Sequence, residues 1–290
     1  IMQGSGTFAI EAALGSFCPS KGVKTLVVAN GAYGDRAAKI LERLGRPHVK
    51  IDKGDSAAPS LEDVTTMLDA DGTISHVWMI HCETTSGVVN PIHEVAEAVK
   101  ERNRSFMVDA MSSFGALPVN MGGAGMDVMV SSSNKCIEGV PGFSYVLVKR
   151  DMLEASKGMS HSVVLDLFEQ WKGLEANGQF RFTPPTHALV AFHTAMKEHA
   201  AEGGVAARGA ELLPPHAHLL RPGGGRPHRR LRDRGVAVQR AGHRTAGDRR
   251  APEPRLPDHA GHPAAGARVR DADQPLCGRH VRRHRPADSI

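Results

Sequence analysis

Apolar residues in this chain fall into short runs that alternate with stretches of helical spacing. The runs Lys24-Thr25-Leu26-Val27-Val28-Ala29, Val49-Lys50-Ile51 and His76-Val77-Trp78-Met79-Ile80-His81 are rich in β-branched and aliphatic side chains. So are the runs covering residues 105–108, 128–131 and 143–148. Lengths of this kind, with Gly or Asn at several of the ends, predict strands. Helical spacing covers residues 8–15, 34–44, 60–68 and 91–102. Ser60 is placed as an N-cap with Asp63 at the reciprocal acidic position, and Pro91 stands near a helix start. Residues 165–198 read as helix with interruptions, the clearest being Arg181-Phe182-Thr183-Pro184-Pro185-Thr186. Strands alternating with helices predict an α/β fold with a mostly parallel sheet flanked by helices. A segment of about 200 residues can bury a sizeable core.

The pattern stops near residue 208. Beyond it no period of 2 or 3.6 is sustained, and Arg221-Pro222-Gly223-Gly224-Gly225-Arg226-Pro227-His228 cannot be a core element. The last lysine is Lys197, the last aromatic other than histidine is Phe192, and the last methionine is Met196. Charge changes at the same place. Residues 1–208 hold 19 Lys and Arg against 23 Asp and Glu, a net charge of −4, whereas residues 209–290 hold 17 against 8, a net charge of +9. The overall +5 therefore belongs to the tail and does not make the first part a nucleic-acid binder. Three readings of the tail compete: a basic RNA-binding arm, a disordered linker, or out-of-frame translation of GC-rich DNA. The third accounts for the joint loss of Lys, Asn, Phe, Tyr, Ile and Met. A phosphate-binding arm has no reason to exclude Lys. The expected organisation is a domain over residues 1–208 and a tail over 209–290 that is not a native domain.

The four cysteines, Cys18, Cys82, Cys136 and Cys277, form no CxxC pair and no zinc spacing with histidine. None of the histidines is a strong metal candidate, so reduced thiols and no metal are expected. No apolar run is long enough to span a bilayer, and no membrane partner is expected. The chain opens on Ile1 in what reads as a core-like strand end, so truncation at the front is expected.

Chemistry concentrates at two strand ends. Phe106-Met107-Val108-Asp109 delivers a carboxylate, and Val130-Ser131-Ser132-Ser133-Asn134-Lys135 delivers an amine 26 positions later. Upstream, Gly4-Ser5-Gly6-Thr7 opens a helix pattern. In open α/β sheets ligands sit outside the carboxyl ends of the strands. A helix N-terminus binds phosphate, a desolvated lysine can attach a carbonyl cofactor, and an aspartate can pair with a protonated pyridine ring. Together these suggest pyridoxal 5'-phosphate. Plainer readings stand beside each residue. Lys135 alone reads as a surface lysine, Asp109 as a helix N-cap, and the Ser5–Gly6–Thr7 turn as a tight turn. Tyr33 after Asn30-Gly31 reads as cofactor stacking or as ordinary packing. Cys136 reads as a small buried residue rather than a nucleophile.

Six segments then stand in order: residues 2–7, 30–34, 81–87, 108–115, 133–142 and 181–187. On them the first 208 residues resemble the class V, fold-type I aminotransferases, in the 2-aminoethylphosphonate–pyruvate transaminase group. That resemblance implies Lys135 as the cofactor-attaching and proton-moving lysine, and Asp109 as the partner of the ring nitrogen. It implies Ser5, Gly6 and Thr7 as phosphate ligands, with Thr183 reaching the phosphate from a neighbouring subunit. It also implies Tyr33 against the ring, Thr84 at the phenolic oxygen, and Asn134 beside the phosphate or orienting Lys135. The implied reaction takes 2-aminoethylphosphonate and pyruvate to phosphonoacetaldehyde and L-alanine, in a cytoplasmic homodimer. The family also carries a small C-terminal domain whose arginine holds the substrate's acidic group, and no counterpart of that motif follows residue 208. Other class V aminotransferases, such as the alanine–glyoxylate type, remain the enzymatic alternative. Cysteine desulfurases are disfavoured by Tyr33 at the stacking position. A non-catalytic remnant with a basic tail is the alternative from a different class.

Overall fold

Runs with every residue apolar are stable as strands only when both faces of the sheet are covered. Two helical layers provide that cover. In a computed structural model, which describes residues 1–55, 57–123 and 125–212 (backbone only for 210–212), the elements alternate as the spacing predicts. They are β1 (Met2–Gln3), α1 (Gly6–Phe17), β2 (Lys24–Ala29), α2 (Ala32–Arg43), β3 (His48–Asp52), α3 (Leu61–Ala70) and β4 (Ile74–Ile80). There follow β5 (Cys82–Glu83), β6 (Val88–Val89), α4 (Ile92–Glu101), β7 (Ser105–Asp109), β8 (Val128–Ser132) and β9 (Phe143–Val148). The last are α5 (Arg150–Ala155), α6 (Leu167–Asn177), α7 (Thr186–Ala201) and α8 (Gly204–Leu212).

Seven strands form one sheet in the order β1-β9-β8-β7-β4-β2-β3. Pairings from β3 to β8 are parallel, while β8 with β9 and β9 with β1 are antiparallel. The mostly parallel α/β fold is the one expected. Successive side chains along a strand point to opposite faces, so each strand feeds two cores. Val27, Trp78, Met107, Val128 and Val130 pack with Ala9, Ala13 and Leu14 of α1. Leu26, Val28, Val77, Met79, Phe106 and Val108 pack with Val64 and Leu68 of α3 and Val95 and Val99 of α4.

Local signals decide the ends. Ser60 and Asp63 form the expected capping box: the Asp63 N–H donates to Ser60 Oγ at 3.1 Å and the Ser60 N–H to Asp63 Oδ2 at 2.7 Å. Gly178, at φ 71°, closes α6 in the left-handed conformation that glycine adopts without strain. It splits the expected helical stretch into α6 and α7. Three features differ from expectation: a two-stranded β5–β6 hairpin lies between β4 and α4, a short α5 follows β9, and α8 lies beyond the helical stretch expected to end at residue 198. The tail expected over residues 209–290 begins within α8, and its residues from 213 on lie outside those described.

Candidate active site

A cavity of about 240 Å³ opens at the carboxyl ends of the central strands. Asp109 ends β7 and pairs in register with Ile80 at the end of β4 and with Val130 of the parallel β8. Lys135 follows β8 by three residues. Ser5, Gly6, Thr7, Tyr33, Thr84, Asp109, Asn134 and Lys135 all line this cavity. Eight of the nine expected cofactor residues are thus brought together from five separate segments. Thr183 is not among the lining residues; its carbonyl accepts a hydrogen bond from Gln3 Nε2 at 2.9 Å.

The end of the cavity lined by Ser5, Gly6 and Thr7 is built by the start of α1. Its N-cap, Ser5, makes no side-chain capping bond, and no acidic residue stands in the first turn. The positive end of this twelve-residue helix therefore has neither a side-chain cap nor a first-turn carboxylate among the described residues. Gly4 turns the chain into this helix at φ 102°, a conformation suited to glycine. Its N–H donates to Gly142 O at 3.0 Å, and Ser144 Oγ donates to Ser5 O at 3.2 Å. The helix start is thereby tied to the far end of the loop that carries Lys135.

That loop is folded back on itself. Ser133 Oγ donates to Val140 O at 2.8 Å and to Phe143 O at 3.0 Å, and the Gly139 N–H donates to Ser133 O at 2.9 Å. A Cβ on Gly139 would lie 2.7 Å from the Ser133 carbonyl oxygen, so only glycine fits this closure. The Glu138 N–H donates to Lys135 O at 2.8 Å, with Glu138 itself in the left-handed region at φ 61°. Lys135 reaches the cavity from an exposed position at its mouth.

Asp109 is the buried group, at 2 % exposure. Its Oδ1 accepts from the Met111 N–H at 2.9 Å. No helix begins after it, so the N-cap reading of Asp109 does not hold; the next regular element is β8. Burial pushes its carboxyl up to about 7, and the Glu83 carboxylate adds to the rise. The Met111 N–H, Arg36 and Lys135 oppose it. A carboxyl in this state fits a cationic partner, and a protonated pyridine nitrogen is one.

Tyr33 lies at the start of α2, packs partly against the first core cluster and carries the Arg36 guanidinium 4.7 Å above its ring. Thr84 Oγ1 and Ser112 Oγ share a hydrogen bond of 2.6 Å across the cavity rim. Cys136 and Cys82 are half-buried, and burial raises both thiols, which keeps them protonated rather than nucleophilic. Among the described residues no group of three or more His, Cys, Asp or Glu side chains is placed to hold a metal ion. No helix among them is long and apolar enough to cross a membrane.

Sequence reasoning missed Ser112, Arg36 and Glu83. Glu83 is fully buried and accepts from the N–H groups of Tyr33 (3.3 Å), Gly34 (3.4 Å) and Thr85 (3.4 Å), and from Thr85 Oγ1 at 2.6 Å. It thus serves the N-terminus of α2 from a hairpin about fifty residues away in sequence. An acidic residue inside an otherwise uncharged strand–turn segment was the available signal. The residues present fit pyridoxal phosphate: an uncapped helix start for the phosphate, a protonatable buried carboxyl for the ring, and an amine at the mouth.

A mostly parallel sheet with an amine and a carboxyl at neighbouring strand ends defines a class, and the family pattern of aminotransferase class-V matches residues 2–213. The chain belongs to the class-V aminotransferases. It is 54% identical over 209 residues to the 2-aminoethylphosphonate–pyruvate transaminase of Rhizobium meliloti (strain 1021), covering 72% of this chain and 54% of that protein. It is 50% identical over 211 residues to the protein of the same name from Syntrophobacter fumaroxidans, covering 72% of this chain and 57% of that protein. The chain spans about half the length of the curated relatives it matches. Among solved structures it resembles a pyridoxamine–pyruvate aminotransferase from Mesorhizobium loti, with a TM-score of 0.67 and 26% identity. That match covers 72% of this chain and 54% of the other.

Proposed function

We propose that residues 1–208 carry the pyridoxal phosphate site of a 2-aminoethylphosphonate–pyruvate transaminase. The observation that carries this reading is the meeting of Lys135, Asp109 and the uncapped start of α1 in one cavity. The relatives at 54% and 50% identity support the substrate pair, and the likeness to the solved pyridoxamine–pyruvate aminotransferase is weaker, at 26% identity. The proposal includes a cytoplasmic homodimer in which Thr183 of one copy serves the other, as the family resemblance implies. Residues 209–290 are proposed not to form a native domain.

When bound, pyridoxal phosphate supplies an electron-withdrawing ring and a carbonyl carbon that carries the exchanged nitrogen. Lys135 binds the group through its amine and moves the proton at the substrate carbon that bears nitrogen. Asp109 keeps the ring nitrogen protonated by pairing with it. Backbone N–H groups at Gly6 and Thr7, with the Ser5 and Thr7 hydroxyls, hold the phosphate. Tyr33, which lines the cavity, would stack against the ring. Thr84, held by Ser112, offers its hydroxyl to the phenolic oxygen. Asn134, which lines the same cavity, would either hold the phosphate side or orient Lys135.

The test is borohydride reduction of the protein mixed with pyridoxal phosphate, followed by peptide mapping. The label is expected on Lys135 and is expected to vanish in Lys135→Ala. A label on another lysine would overturn the assignment. Alanine formation from 2-aminoethylphosphonate and pyruvate by a full-length relative, abolished by the matching lysine change, tests the substrate pair.

A further inference from the structure

We propose that Arg36 is a cofactor-binding residue that supplies the cationic counter-charge for the cofactor's phosphate. The proposal rests on the reading of this cavity as a pyridoxal phosphate site.

The argument starts from a charge deficit. A phosphate monoester is close to a dianion at neutral pH, whereas a helix N-terminus offers about half a positive charge. The cradle residues Ser5, Gly6 and Thr7 carry no cation. The cavity lining holds two cations, Lys135 and Arg36. Lys135 is committed to the carbonyl carbon at the other end of the cofactor, which leaves Arg36.

Its geometry suits the task. Arg36 Nη1 lies 3.5 Å from Thr7 Oγ1, in the first turn of α1. Its guanidinium carbon lies 4.7 Å from the centre of the Tyr33 ring, one turn earlier on α2. The stacking holds the planar head in place before any ligand arrives. Among the described residues no carboxylate forms an ion pair with Arg36; its neighbour Asp35 pairs instead with Lys50 at 2.7 Å. The helix that presents Arg36 is itself anchored by Glu83, through the Tyr33 and Gly34 N–H groups. A planar guanidinium presents parallel donors that match phosphate oxygens. One side chain therefore joins the phosphate end to the ring-stacking residue.

The test compares pyridoxal phosphate with pyridoxal, which keeps the ring and carbonyl but lacks the phosphate. Dissociation constants are measured by absorbance titration for the wild-type chain, Arg36→Met and Arg36→Lys. Arg36→Met is expected to weaken pyridoxal phosphate by about tenfold to a hundredfold and to leave pyridoxal unchanged. Arg36→Lys is expected to recover part of the loss, since the charge returns without the planar fork. Equal loss for both ligands would overturn the proposal and assign Arg36 to the support of Tyr33. Unchanged affinity for pyridoxal phosphate in both variants would also overturn it. A wild-type chain that binds pyridoxal as tightly as pyridoxal phosphate would overturn the underlying reading as well, because no phosphate site would then exist. Arg36 is exposed and makes no ion pair among the described residues, so thermal unfolding without ligand is expected to match wild type in both variants.

Discussion

Gly31 and Glu83 compete for the same space: a Cβ on Gly31 would lie 2.6 Å from both the Cγ and Cδ atoms of Glu83. Thr85 Oγ1 would be 2.7 Å away. The buried carboxylate can reach the start of α2 only because position 31 has no side chain. Gly31→Ala is therefore expected to displace Glu83 from the Tyr33 and Gly34 N–H groups, with a loss of roughly 1–3 kcal/mol typical of overpacking. Gly72, whose added Cβ would meet nothing within 4 Å, is the control, and Gly72→Ala is expected to stay within about 0.5 kcal/mol of wild type. Urea unfolding of the two variants reads the contrast. Equal effects would remove Glu83 from its proposed place in organising α2.

Asp109 makes the cofactor-free protein pH-sensitive on the neutral side. Its folded carboxyl titrates at about 7 because of burial, against about 3.9 for an unfolded aspartate. Between these values the folded state holds a proton that the unfolded state has released. Stability from this group therefore falls as pH rises from about 4 to about 7, and the penalty is complete above that window. Asp109→Asn is expected to be more stable than wild type at pH 8, by about 1–4 kcal/mol, and equal to it near pH 4. Parallel stability curves for the two proteins would show that Asp109 is not buried as described. With pyridoxal phosphate bound the order at pH 8 is expected to reverse, since the ring cation favours the ionised carboxylate.

Two histidines act in the opposite direction. Burial lowers both His76 and His81 to about 4, from the ordinary value near 6.5. Each stays neutral in the folded state while its unfolded counterpart takes up a proton, so stability is lost as pH falls from about 6.5 to about 4. His81 is the cleaner probe: it is 4 % exposed and its Nδ1 has no hydrogen-bond partner among the described residues. His81→Gln is expected to narrow the difference in melting temperature between pH 7 and pH 5. An unchanged difference would place the acid sensitivity elsewhere.

Much of the site is legible from local pattern, and the remainder depends on distant chain segments. Asp109 is legible because a continuous apolar run ending in one charged residue places that charge at a strand end, whereas Lys135 stands three residues past β8 behind a Ser-Ser-Ser-Asn run and is singled out only by the ordered motifs around it. Ser5, Gly6 and Thr7 follow from a glycine turn before helical spacing. Glu83 and Arg36 do not announce themselves in this way. Each gains its role from a partner in another segment: Glu83 from the start of α2, Arg36 from Thr7. The β5–β6 hairpin has two residues per strand, too few for an alternation to register. α5 has six residues, less than two turns, and no periodicity can be read from it.

Residues 213–290 lie outside those described, and composition carries the last prediction. The family pattern ends at residue 213, where lysine, aromatic residues and apolar periodicity have already been lost and the net charge has begun to climb. Few large apolar side chains are available in residues 213–290 to offset the entropy of ordering a backbone, and the proposal that they form no native domain is what the prediction tests. Cutting the chain after Leu212 is therefore expected to leave the thermal transition and the affinity for pyridoxal phosphate within error of the uncut protein. The same reasoning bears on turnover. The resemblance assigns the substrate's acidic group to an arginine of the small C-terminal domain, and no matching motif follows residue 208. Alanine formation by this polypeptide is thus expected to fall far below that of a full-length relative under the same conditions. Cofactor attachment at Lys135 is expected to survive. Alanine formation equal to the full-length relative, or a marked loss of stability on cutting after Leu212, would show that residues 213–290 supply a working domain.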